Sequence, residues 1–154
     1  LASNQMRYSL IDREIERNGV LEAARDLGIS IIAYSPLAQG VLTGKFHGDE
    51  QISSRRGPRK WLKRFKPEGL DATRPLIEEL RHSAHNHSAT AAQIALAWTT
   101  QRHGEQVVAI PGASSVSQAQ SNAEALAIEL SPEELDRLGD AGLEAERRLK
   151  GAAE

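Results

Sequence analysis

No cysteine occurs anywhere in the 154 residues, so disulfide staples, thiolate metal sites and cysteine nucleophiles are all excluded. The same absence favours a cytoplasmic location. No apolar run approaches the ~20 residues that a membrane-crossing helix needs. There is no internal repeat, no domain linker, no initiator methionine and no signal-peptide pattern. A chain opening Leu1-Ala2-Ser3-Asn4-Gln5 reads as something cut from a longer protein. Between Arg55 and Lys66 stand seven cations (Arg55, Arg56, Arg59, Lys60, Lys63, Arg64, Lys66) and no carboxylate. Setting these aside takes the net charge from −2 to −9, so an acidic body carries one basic loop. With 40% hydrophobic and 26% charged residues, the remainder has the composition of a folded globular protein, and its length suits one domain.

The pattern along the chain alternates strands with helices. Asn4 to Leu10 reads as a short strand, and Asp12 to Leu27 as an amphipathic helix ending on Gly28. Ile29 to Ser35 is a continuous apolar run closed by Pro36, the signature of a parallel strand covered on both faces. Residues 36–70 lack regularity and exceed the usual length of a structureless connection. A helix then spans Asp71 to about Ala84, and a second starts at Thr90-Ala91-Ala92-Gln93, which has capping-box spacing. Val107 to Ile110 is a third strand. Ser115-Val116-Ser117-Gln118 opens a helix to about Leu126, and Ser131-Pro132-Glu133-Glu134 opens another over about 132–150, expected to fray from Glu144. The expectation is an α/β fold with three parallel strands and five helices in one partial domain over 1–154. Three strands cannot close an eight-stranded barrel, so open edges and bare apolar faces should remain for another chain, or another part of this one, to cover.

Three stretches carry a family resemblance: Ser3-Asn4-Gln5 through Tyr8-Ser9-Leu10; Ala33-Tyr34-Ser35-Pro36-Leu37-Ala38-Gln39-Gly40 through Thr43-Gly44-Lys45; and Ile110-Pro111-Gly112-Ala113-Ser114 through Asn122. In order and spacing they resemble the sixth, seventh and eighth barrel strands of the aldo-keto reductase family, close to the branch of bacterial reductases and potassium-channel β subunits. The resemblance implies part of a (β/α)8 TIM barrel and NADPH-dependent reduction of aldehydes and ketones. It implies that Gln5 bonds the nicotinamide carboxamide and Tyr34 stacks on the nicotinamide. Ser35, Pro36, Leu37 and Ala38 would line the pyrophosphate, with Lys45 and Arg55 supplying charge. Gly112 and Ser114 would meet the 2′-phosphate of NADP(H), with Gln118 and Asn122 beside the adenine. The family's catalytic Asp, Tyr, Lys and His precede the matched region, and no residue here matches them. As an isolated chain it is expected to be inactive.

Each residue also has a plainer reading. Tyr34 alone would be a packed strand residue; its register with Ser35-Pro36-Leu37-Ala38 argues for the platform. Gln118 could simply complete the capping box of Ser115. His82, His85 and His87 hint at a metal cluster, but no suitable carboxylate spacing accompanies them, and no metal is expected. Two rival functions are an inactive half-barrel that self-associates and a nucleic-acid binder using the cations of 55–66 with Trp61 and Phe65. Cofactor charge is the preferred explanation for the basic loop, and neither nucleic acid nor membrane is expected as a partner.

Overall fold

The computed structural model describes residues 1–48 and 62–151. Its centre is β2, Ser30–Tyr34, paired in parallel on one side with β1, Ser3–Arg7, and on the other with β3, Val107–Ile110. Ser3 stands opposite Ser30 and Arg7 opposite Tyr34; Ile31 stands opposite Val107 and Tyr34 opposite Ile110. Strand side chains alternate between faces. Ile31, Ala33, Met6 and Val107 therefore enter the helical core, with Ile31 and Ala33 wholly shielded. Gln5, Arg7, Ile32, Tyr34, Val108 and Ile110 share the other face. That face is open: Val108 is 53% and Ile110 45% exposed. The expected three parallel strands are present, and among the described residues five α-helices cover one side only.

The connection after β1 differs from the expected one. The strand ends at Arg7, not Leu10, because Tyr8, Ser9 and Leu10 are pulled fully inside. Ser9 and Asp12 then exchange backbone hydrogen bonds at 3.2 Å in a tight reversal. Nor does one helix run from Asp12 to Leu27. A single 3-10 turn, Glu14–Glu16, is followed by α1, Val20–Asp26. Between them Gly19 takes φ +83°, a conformation that a continuing helix cannot use, and Asn18 Oδ1 accepts from Val20 N. The far end behaves as the sequence indicates. Gly28 is left-handed at φ +63°, while Ile29 N bonds Ala24 O and Gly28 N bonds Arg25 O, the paired bonds of a Schellman cap.

Helix α2, Pro67–Asn86, begins a turn before the expected Asp71. Pro67 occupies its first turn, where a missing N–H costs nothing. The entry is fixed by Phe65, fully buried and set edge-on to Phe46 at 5.2 Å. It is also fixed by Gly69, where an added Cβ would lie 2.3 Å from the Lys63 carbonyl oxygen. Helix α3, Ala91–Gln101, carries the expected capping box of Thr90 and Gln93 and is buried nearly all round. Helix α4, Val116–Glu124, is capped by Ser115 Oγ and buries no residue.

Helix α5, Pro132–Gly151, does not fray at Glu144 as expected. Ala145 and Glu146 are buried, and Glu146 is held by Arg17 and Lys150 at 2.8 and 3.1 Å. Helices α2 and α5 pack on each other, and both touch α3, which lies on β3. Close docking of α5 rests on Gly142, whose missing Cβ would come within 2.4 Å of the Leu10 carbonyl oxygen. Gly142→Ala should accordingly destabilise the chain by roughly 1–3 kcal/mol through overpacking. Gly151→Ala, in open space on the same helix, should be neutral or slightly stabilising. Urea unfolding of both variants against wild type checks the contrast, and equal midpoints would contradict it.

Candidate functional site

Parallel strands release their chains at one end, and here the three carboxyl ends lie side by side at Arg7, Tyr34 and Ile110. Gln5 and Tyr34 stand on neighbouring strands and on the same open face. Gln5 is exposed; Tyr34 is half-buried, with the Arg7 guanidinium carbon 5.7 Å from its ring centroid. The ring is thus held from one side and accessible from the sheet's bare face.

The chain leaves β2 through a strained turn. Ser35, Ala38 and Gln39 are three non-glycine residues with positive φ, at 54°, 48° and 60°. Such conformations cost about 1–3 kcal/mol each and persist where the surrounding structure enforces them. Enforcement is visible: Pro36 and Ala38 are buried, Ala38 N bonds Ser35 O and Gly40 N bonds Leu37 O, both at 2.8 Å. With those side chains inside, the turn presents backbone to an approaching ligand. The left-handed Ala38 and Gln39 turn the backbone sharply at this strand end, with Ala38 N and Gly40 N bonded inside the turn. Lys45 follows at the rim, exposed, its ammonium over the Phe46 ring at 5.1 Å. Arg55 lies outside the described residues.

Beyond β3, Gly112 and Ser114 are exposed, and a Cβ built on Gly112 would meet nothing within 4 Å. Gln118 does more than cap. Its backbone N donates to Ser115 Oγ, while its side-chain Oε1 accepts from Ser114 N at 2.7 Å and from Ser114 Oγ at 3.0 Å. A carboxamide oxygen therefore rests on the donors assigned to a phosphate. Asn122 lines a cleft of about 200 Å³ between α3 and α4, with Leu96, Thr100, Pro111 and Leu126. Sequence reasoning passed over these apolar walls because they lie on two helices whose separation no motif encodes.

Behind the β1 end lies a polar cluster that no motif in the sequence signals, because its members are far apart along the chain. Tyr8 Oη donates to Glu16 Oε1 at 2.5 Å, and His103 Nε2 lies 2.9 Å from Tyr8 Oη and 3.0 Å from Glu16 Oε1. Arg13 forks Glu16 through Nε and Nη2 and donates from Nη1 to the Gly139 carbonyl at 2.7 Å. Burial alone would raise the Glu16 pKa, but the hydrogen bonds from His103, Arg13 and Tyr8 outweigh it and hold the group at about 2. Burial first, then the Glu16 charge, pushes the Tyr8 phenol far up. Fully enclosed and committed to Glu16, Tyr8 is a structural donor rather than an acid for substrate.

Of the basic segment, residues 55–61 lie outside the described residues. Arg64 forks Asp12 at 3.0 and 3.1 Å, and the buried Phe65 has no face to offer a base, so one of the two aromatics in the nucleic-acid reading is removed. Trp61 lies outside the described residues. His87 bonds Glu134 at 3.0 Å while His82 and His85 are exposed, and among the described residues no three His, Cys, Asp or Glu side chains gather as metal ligands. No helix among the described residues is long and apolar enough to cross a membrane.

The family model described as "Aldo/keto reductase family" matches residues 1–142. An uncharacterized oxidoreductase of Mycobacterium bovis is 42% identical over 141 residues, 92% of this chain and 42% of that protein. Aldo-keto reductase str7 of Strobilurus tenacellus is 31% identical over 137 residues, 88% of this chain and 40% of its own length. Among solved structures, an aldo/keto reductase from Klebsiella pneumoniae in complex with NADP and acetate superposes with a TM-score of 0.62 at 29% identity, over 90% of this chain and 38% of that one. The chain thus spans about two fifths of the length of these relatives.

The Glu16 cluster has a pH signature. A carboxyl held at about 2 in the folded chain, against 4.5 for its ordinary value, adds stability that is present above pH 4.5 and lost as pH falls toward 2. Glu16→Gln should flatten that part of the acid unfolding profile, as followed by thermal melts between pH 2 and 6. An unchanged profile would mean that the cluster does not set acid stability.

Proposed function

The chain belongs to the aldo/keto reductase family, and from that premise we propose that it holds the cofactor of an NADPH-dependent reductase of aldehydes and ketones. One observation carries the reading. The three segments assigned to the cofactor leave the carboxyl ends of adjacent parallel strands, with Gln5 and Tyr34 on one open face. Active sites on barrels of this kind form at the carboxyl ends of the strands.

The residues fit a dinucleotide in order. The Tyr34 ring offers a flat platform for the nicotinamide, and the Gln5 amide reaches its carboxamide from the neighbouring strand. The Ser35 hydroxyl and the backbone of Pro36, Leu37 and Ala38 follow the pyrophosphate, with Lys45 and Arg55 adding charge. Gly112 and Ser114 take the 2′-phosphate at the amino end of α4, where unbonded N–H groups and the helix dipole favour an anion. For that the Gln118 carboxamide leaves Ser114 and turns, with Asn122, toward the adenine. The cleft that Asn122 shares with Leu96 and Leu126 has the flat apolar character an adenine needs. When bound, NADPH supplies the hydride; this chain's part is to present the nicotinamide in one orientation.

Proton delivery is another matter. The family resemblance assigns it to an Asp, Tyr, Lys and His that no residue here matches, and Tyr8 is sealed inside. The chain alone is therefore expected to bind NADPH without turning over an aromatic aldehyde. Fluorescence titration with NADPH tests the reading. Tyr34→Ala should weaken binding by about 1–3 kcal/mol, the usual worth of one base–aromatic stack. Identical affinity in wild type and variant would remove Tyr34 from the site.

The open sheet face supports a second reading, in which copies of the chain cover Ile32, Val108 and Ile110 on one another. Sedimentation equilibrium should then show a dimer that Val108→Lys dissociates; a well-folded monomer at high concentration would exclude it.

A further inference from the structure

Beyond its contact with the Tyr34 ring, the charge of Arg7 has no partner in the fold among the described residues. It is exposed at the carboxyl end of β1, and among the described residues it makes no hydrogen bond or ion pair. Its register partner is Tyr34, so both side chains rise from the open face, and the guanidinium rests over the tyrosine ring.

Sheet order gives this position a direction. The proposed cofactor path starts at Tyr34 on β2 and runs through the turn after it to Gly112 and Ser114 beyond β3. Strand β1 lies on the opposite side of β2. Arg7 therefore stands at the nicotinamide end, away from the cofactor phosphates, where a carbonyl substrate must come. Next to it is a cavity of about 270 Å³ with Ile11 and Leu149 as apolar wall. Carboxylates also line it, but two are neutralised: Asp12 by the Arg64 fork, and Glu146 by Arg17 and Lys150. Glu14, the third, is exposed to solvent.

We propose that Arg7 is a specificity residue that takes the carboxylate of a small carbonyl substrate, so that the preferred substrate is a compact oxo acid rather than a neutral aldehyde. This rests on Tyr34 being the nicotinamide platform. A guanidinium matches a carboxylate with two parallel hydrogen bonds, and stacking on an aromatic ring fixes its plane beforehand. The cavity is slightly smaller than the usual ligand pocket, which suits a compact acid better than a large apolar ketone.

The test is calorimetric titration of the 154-residue chain with 4-carboxybenzaldehyde and with 4-formylbenzamide, the same shape without the charge, each with and without NADPH. The acid should bind at least about tenfold more tightly than the amide, with a preference that shrinks as salt is added. Arg7→Gln should abolish the preference while the amide still binds as in the wild type, and Arg7→Lys should keep part of it. Equal affinities of acid and amide, no binding of the acid, or a preference that survives Arg7→Gln would overturn the proposal. Failure of NADPH to bind, with the acid preference intact, would overturn the cofactor reading and the substrate assignment while leaving an anion site at Arg7.

Discussion

A buried arginine must be answered on every side, and Arg13 organises much of this chain for that reason. Only 3% exposed, it lies over the Trp98 ring at 5.0 Å, forks Glu16, and donates to the Gly139 carbonyl. A charge removed from water without such partners would cost several kcal/mol. Each partner arrives on a different element. Trp98 brings α3 and Gly139 brings α5, and through Glu16 the cluster also gathers Tyr8 at the end of β1 and His103 on the approach to β3. The close packing of Gly142 on Leu10 and the pairing of Arg17 with Glu146 follow from the same convergence. Holding the end of β1 also fixes where Gln5 and Arg7 stand relative to Tyr34, so the polar cluster behind the sheet sets the geometry in front of it.

This explains what the sequence could and could not convey. Strands β2 and β3, the Thr90, Ser115 and Ser131 caps and the Gly28 cap are local features, settled by residues within a few positions of each other, and they were legible. The single helix expected over 12–27 was not, because its apolar spacing is genuine while the break at Gly19 serves Arg13 and Glu16, whose partners Trp98, His103 and Gly139 lie far along the chain. The start of α2 was hidden for a similar reason. Pro-Glu-Gly-Leu reads as loop until Phe65 is buried against Phe46 and Gly69 has to fit beneath Lys63. Persistence of α5 past Glu144 likewise depends on Arg17, which no helical pattern reveals.

The site divides along the same line. Gln5, Tyr34 and the Ser35–Ala38 turn sit at strand ends, where register alone brings them together, so their proximity follows from the strand order. Gln118 receives the Ser115 cap at its backbone N–H, but its side chain turns to Ser114 instead of completing the capping box at Ser115. Leu96 and Thr100 beside Asn122, and the space next to Arg7, depend on how helices and loops meet and so lay beyond motif reading.

The parallel pairing of β2 with β3 has a kinetic consequence. Ile31 meets Val107 only after the long connection, α2 and α3 have been arranged between them. Closing so long a loop loses chain entropy before any strand contact repays it, so such non-local pairings form slowly. Strand β1, by contrast, finds β2 across the short α1 unit. The order of assembly should run from the amino-terminal pair outward, with β3 last to join. Until it does, the apolar run Ile31-Ile32-Ala33 presents an unfilled edge to every other chain in solution, a hazard of assembly that adds to the bare face the finished sheet keeps.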